Sequence, residues 1–379
     1  MNVVHISTVH SHFDTRIFNK ELQSLSNAGY STTLLTHTEG TETHDGIRIH
    51  GLGEVKSRKQ RWKSLPSTYF EAKNLDADVY HLHDPELLPV GRLLSHRTNA
   101  ALIYDIHENY DSSIKYRNYI PNNLKPILSN SIIPIQSKLA SSFEALIPAT
   151  EWISEDFEDR GHNQVVTVRN FPILEDISYD LTNPKREHEF VMSFVGNLAK
   201  NRGLVRMIDV TRRLRDHGYD VGLWIIGPFS NGAIEEVVST RITEQGLENN
   251  VRLFGYVDYQ KIFSILNASD IGLLLLDPIA TNRAIPTKML EYMASGIPVV
   301  ANRTQGTEKY IPTDCGTIVD DDITEQTNAI ENLLDNTQQR HSYGKNARMT
   351  AVTEYNWTTE KEKLLSLYKR IEEQLGLDR

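Results

Sequence analysis

Short runs rich in Val, Ile and Leu alternate along the chain with longer segments whose apolar residues recur every three to four positions, and this alternation occurs twice. Runs of the first kind suit strands buried on both faces of a parallel sheet, and the longer segments suit the helices that cover it. In the first half the pattern predicts strands near 2–9, 31–36, 78–83, 101–106, 145–149 and 165–169. A helix at 16–28 separates the first two, and Gly29 closes it as a left-handed cap would. In the second half strands are expected near 190–195, 221–226, 251–254, 271–276 and 297–300, with helical stretches near 204–217, 232–246, 258–268 and 287–295 between them. Leu174 to His188 is polar, contains Asn183-Pro184 and lacks apolar periodicity, which marks a hinge. The last segment, Asn356 to Leu375, spaces Leu364, Leu367, Tyr368 and Ile371 as one apolar helical face that must pack onto something.

A length of 379 residues exceeds what one core usually serves and fits two domains. The expected division is 1–180, then 189–355, with 356–379 as a final helix crossing back to the first domain. With 40 Lys plus Arg against 50 Asp plus Glu the formal charge is -10, so the chain as a whole is not built to coat nucleic acid, and an anionic ligand has to meet a local basic site. The single cysteine, Cys315, excludes an internal disulfide and a Cys-rich zinc site. The opening run Val3 to Val9 is interrupted by His5 and Ser7 and reads as a strand rather than a signal peptide, so the expected location is cytoplasmic. Apolar stretches such as Ile271 to Leu276 fall far short of the ~20 residues of a spanning helix, which leaves peripheral membrane contact as the expected kind. No G-x-G-x-x-G follows a strand, so a dinucleotide reading lacks its main support.

The segment from Ile285 to Val300 reads as a loop, a helix and a strand, with Pro286 in the first turn and Gly296 at the end. A helix that starts after the carboxyl end of strand 271–276 points free N–H groups outward, where a diphosphate is held without metal. Glu291, one turn further in, suits the two hydroxyls of a ribose. The same residues also make an ordinary capped helix with Glu291 on a solvated face.

This string resembles the C-terminal signature of family 4 retaining glycosyltransferases, in which an E-x7-E motif ends in Ala-x-Gly-x-Pro-Val-Val. The resemblance implies the GT-B fold, two Rossmann-like domains with parallel sheets facing across a cleft, and transfer of a sugar from a nucleotide diphosphate donor with retention. Glu291 takes the place of the second glutamate, the ribose ligand, and Arg283 stands where the first would be. Arg283 then either pairs with a phosphate or is an exposed loop residue. The stretch Phe194 to Gly203 resembles the family's G-R-x4-K-G loop, whose cations clamp the diphosphate; Arg202 falls at the lysine position and Asn197 at the arginine position. By the resemblance Arg202, Arg283 or Lys288 and the amides near Thr287 stabilise the departing diphosphate. Tyr256, after strand 251–254, either stacks on the nucleotide base or packs inward.

In the first half Tyr104-Asp105-Ile106-His107-Glu108 ends a strand, and His107 resembles the family's active-site histidine, which hydrogen-bonds the donor sugar near the reacting carbon. A strand-end histidine satisfied by backbone is the plain alternative. His81 and His83, two apart on a strand, share a face and suit a metal with Asp84, but no third neutral ligand stands out and the resembling enzymes use no metal, so none is expected. His83 or Asp84 either contacts the acceptor or serves the strand end. The loop His10 to Arg16 resembles the family variant Phe-Asp-x-Arg-x-Phe; Arg16 is a candidate for donor phosphate or acceptor, or else lies on a helix that Asp14 caps. Lys56 to Lys63 gathers five cations around Trp62, which fits an anionic membrane surface and equally a solvated loop. The implied partners are a nucleotide-sugar donor, with UDP-sugar the expected class, and a sugar or lipid-linked glycan acceptor. The implied setting is cell-surface polysaccharide or glycolipid biosynthesis. The rival readings are a sugar-nucleotide epimerase on the same fold and a degenerate nucleotide-binding subunit.

Overall fold

The computed structural model describes residues 1–116, 120–174 and 183–377. The hinge expected over Leu174 to His188 falls partly on 175–182, outside the described residues. The chain divides into two compact units, Met1–Asn170 with Trp357–Arg379, and Phe171–Asn356.

The first unit is built on seven strands, β1 (Asn2–Ser7), β2 (Ser31–Thr36), β3 (Thr41–His44), β4 (Ile47–Gly51), β5 (Val79–Leu82), β6 (Ala101–Ile106) and β7 (Ala145–Pro148). They lie in the order β3-β4-β2-β1-β5-β6-β7, parallel except for the hairpin β3–β4. The apolar runs become strands because helices cover both faces, and every residue of β5, β6 and β7 is buried. The strand expected at 165–169 is instead an irregular edge segment that follows β7 through Val166 N to Leu146 O at 2.9 Å and Val168 N to Pro148 O at 3.0 Å. The helix expected at 16–28 begins as a π-helical segment, Thr15–Leu22, and continues as an α-helix, Gln23–Asn27. Asp14 caps it by accepting from the amides of Arg16 and Ile17. Hydrogen bonding five residues apart, as from Asn19 N to Asp14 O, brings positions i and i+5 onto nearly one face. Arg16 and Glu21 thereby share the buried side.

The C-terminal helix, Trp357–Gln374, packs on this unit. Leu364, Leu367, Tyr368 and Ile371 are wholly buried, and Trp357 donates its indole N–H to Ser24 Oγ at 3.0 Å. Of the five cations Lys56 precedes a helix, Arg58–Asn74, capped by Ser57, and the other four lie in its first turns.

The second unit holds β8 (Phe190–Val195), β9 (Val221–Ile226), β10 (Val251–Gly255), β11 (Ile271–Leu274), β12 (Val299–Asn302) and β13 (Gly316–Val319), all parallel, in the order β10-β9-β8-β11-β12-β13. Each unit therefore repeats the Rossmann order 3-2-1-4-5-6, the first with the antiparallel β3 added at one edge. Among the described residues no helix is long and apolar enough to cross a membrane.

Replacing Leu367 by Ala removes buried methyl groups from the C-terminal helix where it packs on the first unit. The expected cost is about 2–5 kcal/mol, read as lost hydrogen-exchange protection in β1; unchanged protection contradicts this account of the helix.

Candidate functional site

In a doubly wound sheet, ligands bind outside the carboxyl ends of the strands where the strand order reverses. In the second unit that point lies between β8 and β11. Two pieces of chain meet there. After β8 the chain makes a short turn, Lys200–Arg202, and Gly203 starts the helix Leu204–Asp216 at φ +71°. A Cβ at Gly203 would lie 1.9 Å from the carbonyl oxygen of Leu275, so only glycine lets this turn close onto the end of β11. After β11 the chain loops to the helix Thr287–Ala294. Tyr292 fixes that helix: its ring fills the space left by Gly272, and its hydroxyl accepts from Val195 N at 3.0 Å and donates to Leu273 O at 3.3 Å.

No side chain caps the start of Thr287–Ala294. Pro286 stands just before the helix, one place earlier than its expected first-turn position, and has no N–H. The first amides of the helix are therefore those of Thr287 and Lys288, which lack intrahelical acceptors and point toward any ligand at the strand ends. Arg202 is half-buried, and its guanidinium has no hydrogen-bond or ion-pair partner among the described residues; burial alone lowers its pKa. Glu291 is 4% exposed: Oε1 accepts from Lys288 Nζ at 2.9 Å, while Oε2 is buried with no partner. A half-buried cation without a counter-charge and a buried carboxylate oxygen without a donor are both costly unless a ligand completes them.

The other candidates of this unit are less enclosed. Asn197 and Arg283 are exposed. The Lys288 side chain lies beside Gly196 and is committed to Glu291, which makes it a positioner of that carboxylate as well as a cation. Tyr256 is 76% exposed, so it is not a packing aromatic. Asp277, which the sequence reading passed over, shapes the loop before the helix by accepting from the amides of Ile279 and Ala280 at 2.9 and 3.2 Å.

In the first unit the order reverses between β1 and β5. Asp84 is buried at this point and its Oδ2 holds the loop after β1, accepting from Ser7 Oγ, Thr8 N and Val9 N at 3.0, 2.6 and 3.2 Å. His107 follows β6 with its Nε2 3.0 Å from Asp105 Oδ2. Because an ionised carboxylate only accepts, the network assigns the proton to Nε2 and leaves Nδ1 with a lone pair. Arg16, expected to reach a phosphate or lie on a helix surface, is found elsewhere. It is 3% exposed, and its guanidinium donates to Asp105 Oδ2 and Oδ1 at 2.9 and 2.8 Å and to Val168 O at 2.8 Å. Burial pushes the Asp105 carboxyl up, but Arg16 and then His107 outweigh it and hold its pKa well below the usual range. Burial, and after it the charge of Asp105, push Glu21 well above that range. His10, given no role in the sequence analysis, lies 4.7 Å from His107 between ring centroids in a tilted arrangement, 3.3 Å from Asp14 and 3.6 Å from Asp84. Burial lowers its pKa, yet the hydrogen bond to Asp14 and the charges of Asp84 and Asp14 together raise it above the ordinary imidazole value.

Comparison with known proteins places this geometry. Residues 180–350 match the family model described as Glycosyl transferases group 1. The chain is 25% identical over 183 residues to alpha-D-kanosaminyltransferase of Streptomyces kanamyceticus, covering 48% of this chain and 46% of that one. It is 32% identical over 119 residues to the amylovoran biosynthesis glycosyltransferase AmsK of Erwinia amylovora, covering 31% and 28%. The matches thus span less than half the length of these two curated relatives. HepE of Anabaena, solved in complex with UDP, superposes with a TM-score of 0.76 at 15% identity, covering 98% of this chain and 100% of that one. The fold is GT-B, two Rossmann-like units.

The raised pKa of His10 gives a pH signature. A group whose pKa rises on folding contributes its full stability below the unfolded value, about 6.5, and loses it as pH climbs through the folded value. His10→Gln is therefore expected to lower the melting temperature more at pH 5.5 than at pH 8.5; a deficit that does not change with pH contradicts the ion pairs assigned to His10.

Proposed function

We propose that this chain, which carries a glycosyl transferases group 1 segment over residues 180–350, moves a sugar from a UDP-sugar to an acceptor hydroxyl with retention at the anomeric carbon. The acceptor belongs to a growing cell-surface polysaccharide or glycolipid. The observation that carries this reading is the pair of unmet demands at the β8/β11 edge: the Arg202 guanidinium without an anion and Glu291 Oε2 without a donor. A nucleoside diphosphate answers both, with its pyrophosphate on Arg202 and the amides of Thr287 and Lys288, and a ribose hydroxyl on Glu291. UDP is the favoured nucleotide because HepE, of the same fold, is solved with it. The polysaccharide setting is favoured by AmsK, a protein of amylovoran biosynthesis.

As the bond from the anomeric carbon to the diphosphate lengthens, negative charge grows on the leaving oxygens. Arg202 and the two amides stabilise that charge without reorganising, and a metal at the diphosphate is not required. Each charge-assisted hydrogen bond contributes roughly 1.5–3 kcal/mol. Arg283 and Asn197, both exposed, reach the outer phosphate as secondary contacts, and exposed Tyr256 offers a face to the base. In the first unit, His107 Nδ1 accepts the hydrogen of a sugar hydroxyl, with Asp105 holding the tautomer.

The start of the helix Arg58–Asn74 supplies the membrane contact of this reading. Trp62 is 54% exposed among exposed Lys56, Lys59 and Lys63, while Arg61 is occupied by Glu86, its Nε 3.0 Å from Oε1. An amphipathic aromatic with neighbouring cations suits an anionic surface.

Two outcomes follow. In a panel of UDP-, GDP- and ADP-sugars, scored by thermal shift and nucleotide release, UDP-sugars are expected to be selected. Arg202→Ala and Glu291→Ala should each weaken UDP binding on the order of 10- to 100-fold, and unchanged affinity in both variants refutes the assignment. Flotation with vesicles containing anionic lipid is expected to recover the wild-type chain and to lose a variant with Lys56, Lys59 and Lys63 changed to Glu; equal recovery removes the membrane contact.

A further inference from the structure

The first unit contains a second set of unmet polar atoms, in its interior. His5 on β1, Glu21 in the π-helical segment, His81 on β5 and His83 just beyond it are all 0% exposed. One ligand-type atom from each lies within 4.8 Å of those of the other three. The imidazole centroids are 4.3 Å (His5–His81), 4.6 Å (His81–His83) and 4.9 Å (His5–His83) apart.

The outward nitrogen of every ring is held. His81 Nδ1 and His5 Nε2 lie 2.8 and 3.2 Å from the Tyr368 hydroxyl, and His83 Nδ1 lies 3.2 Å from Asp105 Oδ2. The nitrogens left over are His5 Nδ1, His81 Nε2 and His83 Nε2. The first and last face each other at 2.8 Å. Among the described residues His81 Nε2 has no hydrogen-bond partner, and neither has either oxygen of Glu21; Arg16 Nε lies 3.0 Å from its Oε1 and His5 Nδ1 3.9 Å from its Oε2. Leaving such atoms buried and unpaired costs roughly 1–3 kcal/mol apiece.

We infer that His5, His81, His83 and Glu21 form a binding site for one divalent first-row cation of the zinc type, with a structural role. Three imidazole nitrogens and one carboxylate oxygen make the closed tetrahedral set that zinc prefers. Metal-bound histidines nearly always have the other ring nitrogen fixed by a carboxylate or another polar group, and Asp105 and Tyr368 already do this for all three rings. Ligand bonds of about 2.0–2.1 Å would separate the His5 and His83 nitrogens to about 3.3 Å, a small opening of the present contact. His83, Asp105 and His107 also lie close enough to share an ion, but Arg16 already takes both Asp105 oxygens, so the inner set is the better site.

The ligand set was half visible in the sequence. His81 and His83 are two apart, but the third ligand comes from strand pairing, which sets His5 opposite His81, and the fourth from the five-residue repeat of the π-helical segment. Asp84, the expected companion, is turned to the loop after β1. Bound metal would tie β1, β5 and the π-helical segment together and, through Tyr368, the C-terminal helix. This inference does not depend on the donor reading of the second unit.

The test is elemental analysis and zinc-edge X-ray absorption of the full chain after chelator treatment, zinc loading and gel filtration, with melting temperature measured with and without zinc. The wild-type chain is expected to retain one zinc per chain with N/O ligands at about 2.0–2.1 Å and to melt higher when loaded. Glu21→Gln should lose the tightly held zinc and its thermal shift. Tyr368→Phe should weaken zinc affinity about 10- to 100-fold, as loss of an outer partner does. A wild-type chain that retains no zinc, or a Glu21→Gln chain that retains a full equivalent with the same shift, overturns the site.

Discussion

The functional architecture of this chain turns on a charge left without its opposite. Arg202 is half-buried at the reversal point of the second sheet with no anion beside it, and the helix start that shares this edge has no capping side chain. Desolvating a guanidinium is costly unless something answers it, and the segments on either side of it are fixed by packing. Gly203 presses its turn onto the Leu275 carbonyl, and Tyr292 pins the facing helix to β8 and β11. Fold and ligand are linked here. The strand order creates the edge, small residues let the two segments approach it, and the approach leaves Arg202 and Glu291 Oε2 unpaired, the two groups that the proposed function completes with an anion and a hydroxyl.

The first unit solves the opposite problem. Its charges are paired inside, with Asp105 taking two hydrogen bonds from Arg16 and further contacts from His83 and His107. That pairing fixes the tautomer of His107 and also builds the outer shell of the buried histidine cluster. One carboxylate thus faces two tasks, a half-buried histidine at the sheet edge on one side and a candidate metal ligand on the other. The C-terminal helix joins the same network through Tyr368, which explains why a segment distant in sequence is packed with the first unit.

Most strands were legible because buried parallel strands are nearly continuous apolar runs, and β1, β2, β8, β9 and β11 all begin within a residue or two of the expected places. The hairpin β3–β4 was missed because all four residues of Thr41–His44 are exposed and show no alternation; the turn Asp45-Gly46, both at positive φ, was the available signal. Arg202 and Glu291 were legible from their motifs, since each lies within a few residues of a glycine or proline that shapes its loop. Arg16 was misread because burial of a cation depends on Asp105, 89 positions away, and no local pattern announces that partner. The histidine cluster was likewise invisible, being assembled by register and by a π-helical repeat.

The most direct measurement is a crystal structure of the full chain with UDP. The account predicts pyrophosphate oxygens within about 3 Å of the Arg202 guanidinium and of the Thr287 and Lys288 amides, with a ribose hydroxyl on Glu291 Oε2. A nucleotide bound elsewhere, with Arg202 still unpaired, would contradict it.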